Sequence, residues 1–151
     1  MSNANIRVTF TGTRRGMTLK QIKQIEEWFA NTHNILEAHH GGCEGADRDF
    51  HDMLLYYIPI HRIHIHPGRV EQLEWACQQQ RQRKEIHIYA IPLGKKPELA
   101  RNRIMVSQSN VVLATPAQEQ EVLRSGTWAT IREARKRKTA GLCSLTIFLP
   151  Y

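Results

Sequence analysis

His40-Gly41-Gly42-Cys43-Glu44-Gly45-Ala46-Asp47 is the stretch whose reading decides the fold. It follows an apolar segment at 35–39 that reads as a short strand. It runs into Ala46, Phe50, Met53, Leu54 and Tyr57, which recur at helical spacing. A glycine loop between a strand and a helix offers free backbone N–H groups at the positive end of the helix dipole, and glycine lets an anion approach closely. Arg124-Ser125-Gly126-Thr127-Trp128 repeats the arrangement further on, opening a helix predicted over 126–138. Either loop alone reads as an ordinary tight turn. Two of them on one sheet edge point to a ligand with phosphates.

Working outward from these loops, strand and helix patterns alternate. Ile6, Val8 and Phe10 alternate with polar residues and predict a first strand over 6–10. Thr18 is placed to cap a helix carrying Leu19, Ile22, Ile25 and Phe29. A third strand is expected at 61–66, stopped by Pro67-Gly68, and a Gln- and Arg-rich helix at 70–84. Ile86, Ile88 and Ala90 suggest another strand, and 98–107 a short helix behind Pro97. Val111-Val112-Leu113 is a compact apolar run, as expected of a strand buried on both faces. A polar loop at 116–123 and a last strand at 145–149 complete the pattern. The expectation is one α/β domain over 1–151, a Rossmann-like three-layer domain with a mostly parallel sheet covered by helices on both faces. Such sheets bind ligands beyond the carboxyl ends of their strands, near a topological switch point. The loops leaving at Thr11, His40 and Thr115 are therefore candidates to converge.

The bulk numbers are compatible with this. A chain of 151 residues, 41% hydrophobic and 23% charged, is long enough for a single core. No apolar run is long enough to cross a bilayer, so no membrane partner is expected. The start, Met1-Ser2-Asn3-Ala4-Asn5, lacks a basic region followed by an apolar one, and a cytoplasmic location is expected. The three cysteines, Cys43, Cys77 and Cys143, are scattered and suggest neither a zinc ribbon nor a disulfide framework. Cys43 reads either as a thiol acidified by a helix N-terminus or as a small apolar filler. A net charge of +7 favours anionic partners. It gathers at Arg81, Arg83 and Lys84 and again over 132–138, on helix bodies and ends rather than at the glycine edge.

Taken in order, Thr11-Gly12-Thr13-Arg14, His40-Gly41-Gly42 with Gly45-Ala46-Asp47, Arg101-Asn102-Arg103 with Met105, and Ser125-Gly126-Thr127-Trp128 with Ile131-Arg132-Glu133-Ala134-Arg135 resemble the SLOG superfamily of Rossmann-like nucleotide-binding domains. That group takes in lonely-guy phosphoribohydrolases, DprA DNA-processing proteins and YpsA-like proteins. The resemblance spans nearly the whole chain. It implies a phosphate-bearing nucleotide ligand, no further cofactor, and a homo-oligomer whose interfaces complete the site. One departure matters: lonely-guy enzymes carry a glutamate just beyond Gly-Thr, whereas here Trp128, Ala129 and Thr130 follow Gly126-Thr127, and the next carboxylate is Glu133.

Residue by residue, Ser125, Gly126 and Thr127 are read as phosphate contacts, with Ser125 alternatively a simple helix cap. Gly41, Gly42 and Gly45 form the floor under a ribose or phosphate. Asp47 either holds a ribose hydroxyl or ties its own loop, and Glu44 is a second candidate acid or base. Arg101 and Arg103 are two positions apart, about 200° around a helix, so one faces the ligand; Arg101 is the choice, as a fork for phosphate. Gly12, Thr13 and Arg14 reach the same edge, and Trp128 is a candidate to stack on a ring. His64 and His66 share a strand face, but zinc needs three or four converging ligands, and no metal is expected. His40, beside the glycine loop, is a candidate hydrogen-bond partner for a ligand.

The functional expectation is a sensor or sequestering protein for a small nucleotide, of ADP-ribose or cyclic-nucleotide type. The alternative is a hydrolase cleaving an N-glycosidic bond through Glu44, Asp47 or Glu133. The third is DprA-like nucleic-acid binding.

Overall fold

The computed structural model describes residues 5–122 and 125–151. Leu123 and Arg124 of the second loop, and residues 1–4, lie outside the described residues. The strands are β1 (Ile6–Gly12), β2 (Ile35–His40), β3 (Ile63–Ile65), β4 (His87–Ile88), β5 (Val111–Thr115) and β6 (Ser144–Ile147). The helices are α1 (Leu19–Ala30), α2 (Ala46–Tyr57), α3 (Val70–Gln82), α4 (Pro97–Ser107) and α5 (Gly126–Thr139). The sheet order is β4-β3-β2-β1-β5-β6, and every pairing is parallel. The three-layer α/β expectation holds. No helix among the described residues is long and apolar enough to cross a membrane.

The layering follows from the direction of travel. From β1 to β4 the chain steps one way across the sheet, and from β5 to β6 the other way. Right-handed crossovers then place α1 to α3 on one face and α4 and α5 on the other. On the first face Val8, Phe10, Ile25, Phe29, Phe50 and Leu54 form the main core, with the Phe10 and Phe50 rings stacked 4.3 Å apart. On the second, Val106, Val112 and Ala134 pack together, and Ala114, Trp128 and Ile131 form a neighbouring cluster. Thr9, between Val8 and Phe10, turns to that second face and donates to the Met105 carbonyl of α4.

Local chemistry sets the helix ends. Thr18 caps α1 in a reciprocal capping box with Gln21. Gln21 is buried; its amide also donates to the carbonyls of Pro116 and Phe148, at 2.9 and 2.8 Å, tying α1 to the segments that follow β5 and β6. The third strand is shorter than its pattern. Pro59 opens a 3-10 turn over Ile60–Arg62, in which the Arg62 N–H bonds back to the Pro59 carbonyl, so β3 begins only at Ile63. Other ends also move: α3 stops at Gln82, β1 continues to Gly12, β4 shrinks to His87–Ile88, β5 continues to Thr115, and β6 ends at Ile147, while the remaining ends shift by at most a single residue.

Candidate functional site

The strand order reverses between β1 and β5, and a cavity of about 680 Å³ lies at their carboxyl ends. Its size suits a small ligand. Thr11 to Arg14 form one wall, Cys43 and Asp47 a second, Ser125 to Thr127 a third, while α4 contributes Leu99, Arg101, Asn102 and Met105. The three loops expected to converge all reach this cavity.

The start of α5 forms the third of these walls. Ser125 caps the helix by accepting the Trp128 N–H, so the cap reading is correct. Among the described residues no acceptor faces the N–H groups of Gly126 and Thr127. The Thr127 side chain is 96% buried and lines the cavity. Gly126 is exposed, and a Cβ built on it meets nothing within 4 Å among the described residues, so they leave its backbone uncovered. Arg14 stands across the site, exposed and, among the described residues, without a carboxylate partner. Arg132 also lines the cavity and pairs with Glu121 at 2.9 Å.

In the first glycine loop Asp47 follows the second of its two readings and ties the loop, while the glycines do not form the expected floor. The Asp47 carboxylate accepts the N–H groups of Gly41 and Cys43, at 3.1 and 3.3 Å, so the loop's own aspartate occupies its anion nest. Burial raises the Asp47 pKa, against the opposing pull of Arg101 and these N–H groups. Gly41, Gly42 and Gly45 do not line the cavity. They are small because protein packs on them: Arg101 and Asp47 on Gly41, Ile65 and Trp75 on Gly42, and the Arg14 and Thr13 carbonyls on Gly45. Glu44 is exposed and outside the cavity. Cys43 lines the wall, but burial, with Asp47 next, pushes its thiol up to about 12, which removes the acidified-thiol reading.

Arg101 is the buried tie of the site. Nη1 donates to the carbonyls of Gly41 and His66, at 3.1 and 2.8 Å, and Nε donates to Asn102 Oδ1 at 2.7 Å. Its fork thus joins the loops after β2 and β3 to α4, rather than standing free for phosphate. Trp128 is 3% exposed and packs with Ala114 and Ile131, so it belongs to the core and not to a stacking surface. His40 is fully buried; Nδ1 accepts the Gly42 N–H and Nε2 meets His51, which removes it as a ligand partner.

Sequence reasoning missed Arg69, Glu98 and Asn102. Arg69, before α3, pairs with Glu98 at the start of α4, and both line the cavity. No motif marks this pair, which meets only because the loops after β3 and β4 share an edge. Asn102 was visible only as part of the Arg101-Asn102-Arg103 motif.

A second polar cluster lies on the sheet face that carries Thr9. Parallel register aligns His39, His64 and His87 across β2, β3 and β4. His87 stacks on His64 at 4.3 Å, His64 on His39 at 4.6 Å, and Tyr89 on His66 at 3.8 Å. An ionised Glu37 accepts from His39 Nε2 at 2.9 Å, so His39 Nδ1 is the acceptor for His66 Nε2–H at 2.8 Å. Among the described residues no group of three or more His, Cys, Asp or Glu is arranged to hold a metal ion.

Fold and geometry together define an α/β domain with a Rossmann-like parallel sheet and a cavity at its switch point. No family model and no curated protein matches the chain. Among solved structures it is similar to DNA processing protein A from Helicobacter pylori, described for its single-stranded DNA binding mode. The TM-score is 0.63 and the sequence identity 21%, over 96% of this chain and 66% of that one. The chain thus spans just under two thirds of that neighbour, and at this identity the likeness is one of fold.

Proposed function

We propose that this domain binds a phosphate-bearing nucleotide in the switch-point cavity and serves as a sensor or sequestering protein for it. One observation carries the reading: the N-terminus of α5 faces the cavity with the Gly126 and Thr127 N–H groups unengaged, the buried Thr127 side chain beside them and the Arg14 guanidinium in the same lining. A phosphate there receives backbone donors, the helix dipole and a cation together.

Thermal unfolding of the purified protein with 5′-mononucleotides, ADP-ribose and cyclic nucleotides tests this. A ligand at a hundred times its Kd stabilises the fold by about 2.7 kcal/mol. Arg14→Ala weakens that shift without lowering the midpoint of the free protein. If no nucleotide at millimolar concentration moves the midpoint, the reading fails. Release of free base from the same panel would instead favour N-glycosidic hydrolysis, with Asp47 the candidate catalytic carboxylate.

Nucleic-acid binding is the second reading, favoured by the fold shared with a single-stranded DNA-binding protein and by the +7 charge. It predicts affinity for oligonucleotides that falls steeply with salt. Flat salt dependence would remove it.

A further inference from the structure

We propose that the furrow between α4 and α5 is a second anion subsite, so that the ligand is a nucleotide carrying a second phosphate set apart from the first. This rests on the reading that the start of α5 holds one phosphate. The furrow has a volume of about 230 Å³ and continues from the main cavity, sharing Leu99, Asn102, Ala129 and Arg132 with it. Beyond the junction it is lined by Arg103, Lys136 and Glu133. Arg132 at the junction is paired with Glu121, and beyond it two cations face one carboxylate along a path that starts at the proposed phosphate site.

Two features separate this furrow from a merely solvated helix surface. Asn102 is 92% buried at the junction and lines both spaces. Its Oδ1 is taken by Arg101 Nε, which leaves its amide N–H groups as donors with no acceptor among the described residues. Arg103 and Lys136 are exposed and, among the described residues, make no ion pair, although Glu133 lies in the same lining. A phosphate in the furrow meets neutral donors at its near end and two unengaged cations beyond. This also assigns the two arginines of α4: Arg101 turns inward to tie the loops, while Arg103, about 200° round the helix, serves the furrow.

The test compares thymidine 5′-phosphate with thymidine 3′,5′-bisphosphate by calorimetry, on the wild type and on Arg103→Ala/Lys136→Ala. Both positions are exposed, so the double variant folds. The expected result is that the bisphosphate binds the wild type at least ten-fold more tightly. In the double variant that advantage disappears while monophosphate affinity stays unchanged. An advantage that is absent, or that survives in the variant, overturns the subsite. Bisphosphate binding that needs the furrow, with no binding of the monophosphate, keeps the subsite and removes the α5 site. Binding of neither removes both. A ten-residue oligothymidylate separates the two sources of a second phosphate. Furrow-dependent binding tighter than that of the bisphosphate identifies a phosphodiester strand, and weaker binding a small bisphosphorylated nucleotide; both support the subsite.

Discussion

Arg101 and Asp47 hold Gly41 between them: the arginine donates to its carbonyl at 3.1 Å and the aspartate accepts its N–H at 3.1 Å. One peptide segment is thereby clamped by two buried, oppositely charged side chains from α4 and α2. A side chain at position 41 would collide with the Arg101 guanidinium. The glycine loop is thus a structural joint, and its rigidity positions the cavity wall formed by Cys43 and Asp47.

Asp47→Asn removes the charge facing Arg101 and turns the two hydrogen bonds that Oδ2 accepts from the Gly41 and Cys43 N–H groups from charge-assisted into neutral ones. A hydrogen bond to a charged group contributes about 1.5–3 kcal/mol against about 1 kcal/mol for a neutral one, so the urea midpoint falls accordingly. A midpoint equal to that of the wild type would show that the clamp contributes nothing. If nucleotide turnover is found, this variant also decides whether Asp47 takes part: its persistence removes Asp47 from the mechanism.

Two glycine substitutions separate structure from ligand contact. Gly45 has φ +85°, and a Cβ there would collide with the Arg14 carbonyl, so Gly45→Ala destabilises by about 1–3 kcal/mol through backbone strain and steric conflict. Gly126→Ala meets nothing within 4 Å among the described residues and does not lower the thermal midpoint, since alanine suits a helix better than glycine by up to about 1 kcal/mol. The same methyl group stands over the proposed phosphate site and weakens nucleotide binding. Retention of full affinity in Gly126→Ala counts against that site.

Acid weakens this fold before its carboxylates titrate. Burial holds His51 and His64 near 4 and His66 near 2, and also lowers His39 and His40, against an ordinary value of 6.5. Between pH 6.5 and 4 the unfolded chain therefore binds more protons, and stability rises with pH. The fold is fully supported above 6.5 and loses about 1.4 kcal/mol per pH unit for each proton of difference as pH falls. Asp47 and Asp49 act in the opposite sense, because burial raises their pKa and the folded state takes their protons first. Urea titrations at steps from pH 7.5 to 4.5 should show a midpoint that declines from 6.5 downward. A flat profile would mean that these imidazoles are solvated.

Gln21 joins α1 to the segments that follow β5 and β6 through two amide hydrogen bonds, and keeps its capping-box contact with Thr18. Gln21→Leu orphans the Pro116 and Phe148 carbonyls and costs about 2–4 kcal/mol. Hydrogen exchange should show loosening at both segments, and a change confined to α1 would refute the bridging role.

The strands, helices and their order were legible in the chain because they rest on local signals: apolar periodicity, Thr18 and Ser125 as caps, and Val111 to Leu113 as a strand buried on both faces. A parallel sheet followed from their alternation, and with it the edge where Thr13, Arg14, Asp47, Ser125, Gly126 and Thr127 meet. Which groups at that edge remain free was decided only in three dimensions. Asp47 reaches back to fill the N–H groups of its own loop, Arg101 lies close enough to the loops after β2 and β3 to be consumed as their tie, and Trp128 turns into the core. The Arg69–Glu98 pair and the stacked histidines depend on which strands become neighbours and in what register. A residue's backbone conformation is set largely by its sequence neighbours. Its unsatisfied hydrogen bonds and charges depend on partners brought from far along the chain, and no local pattern records them.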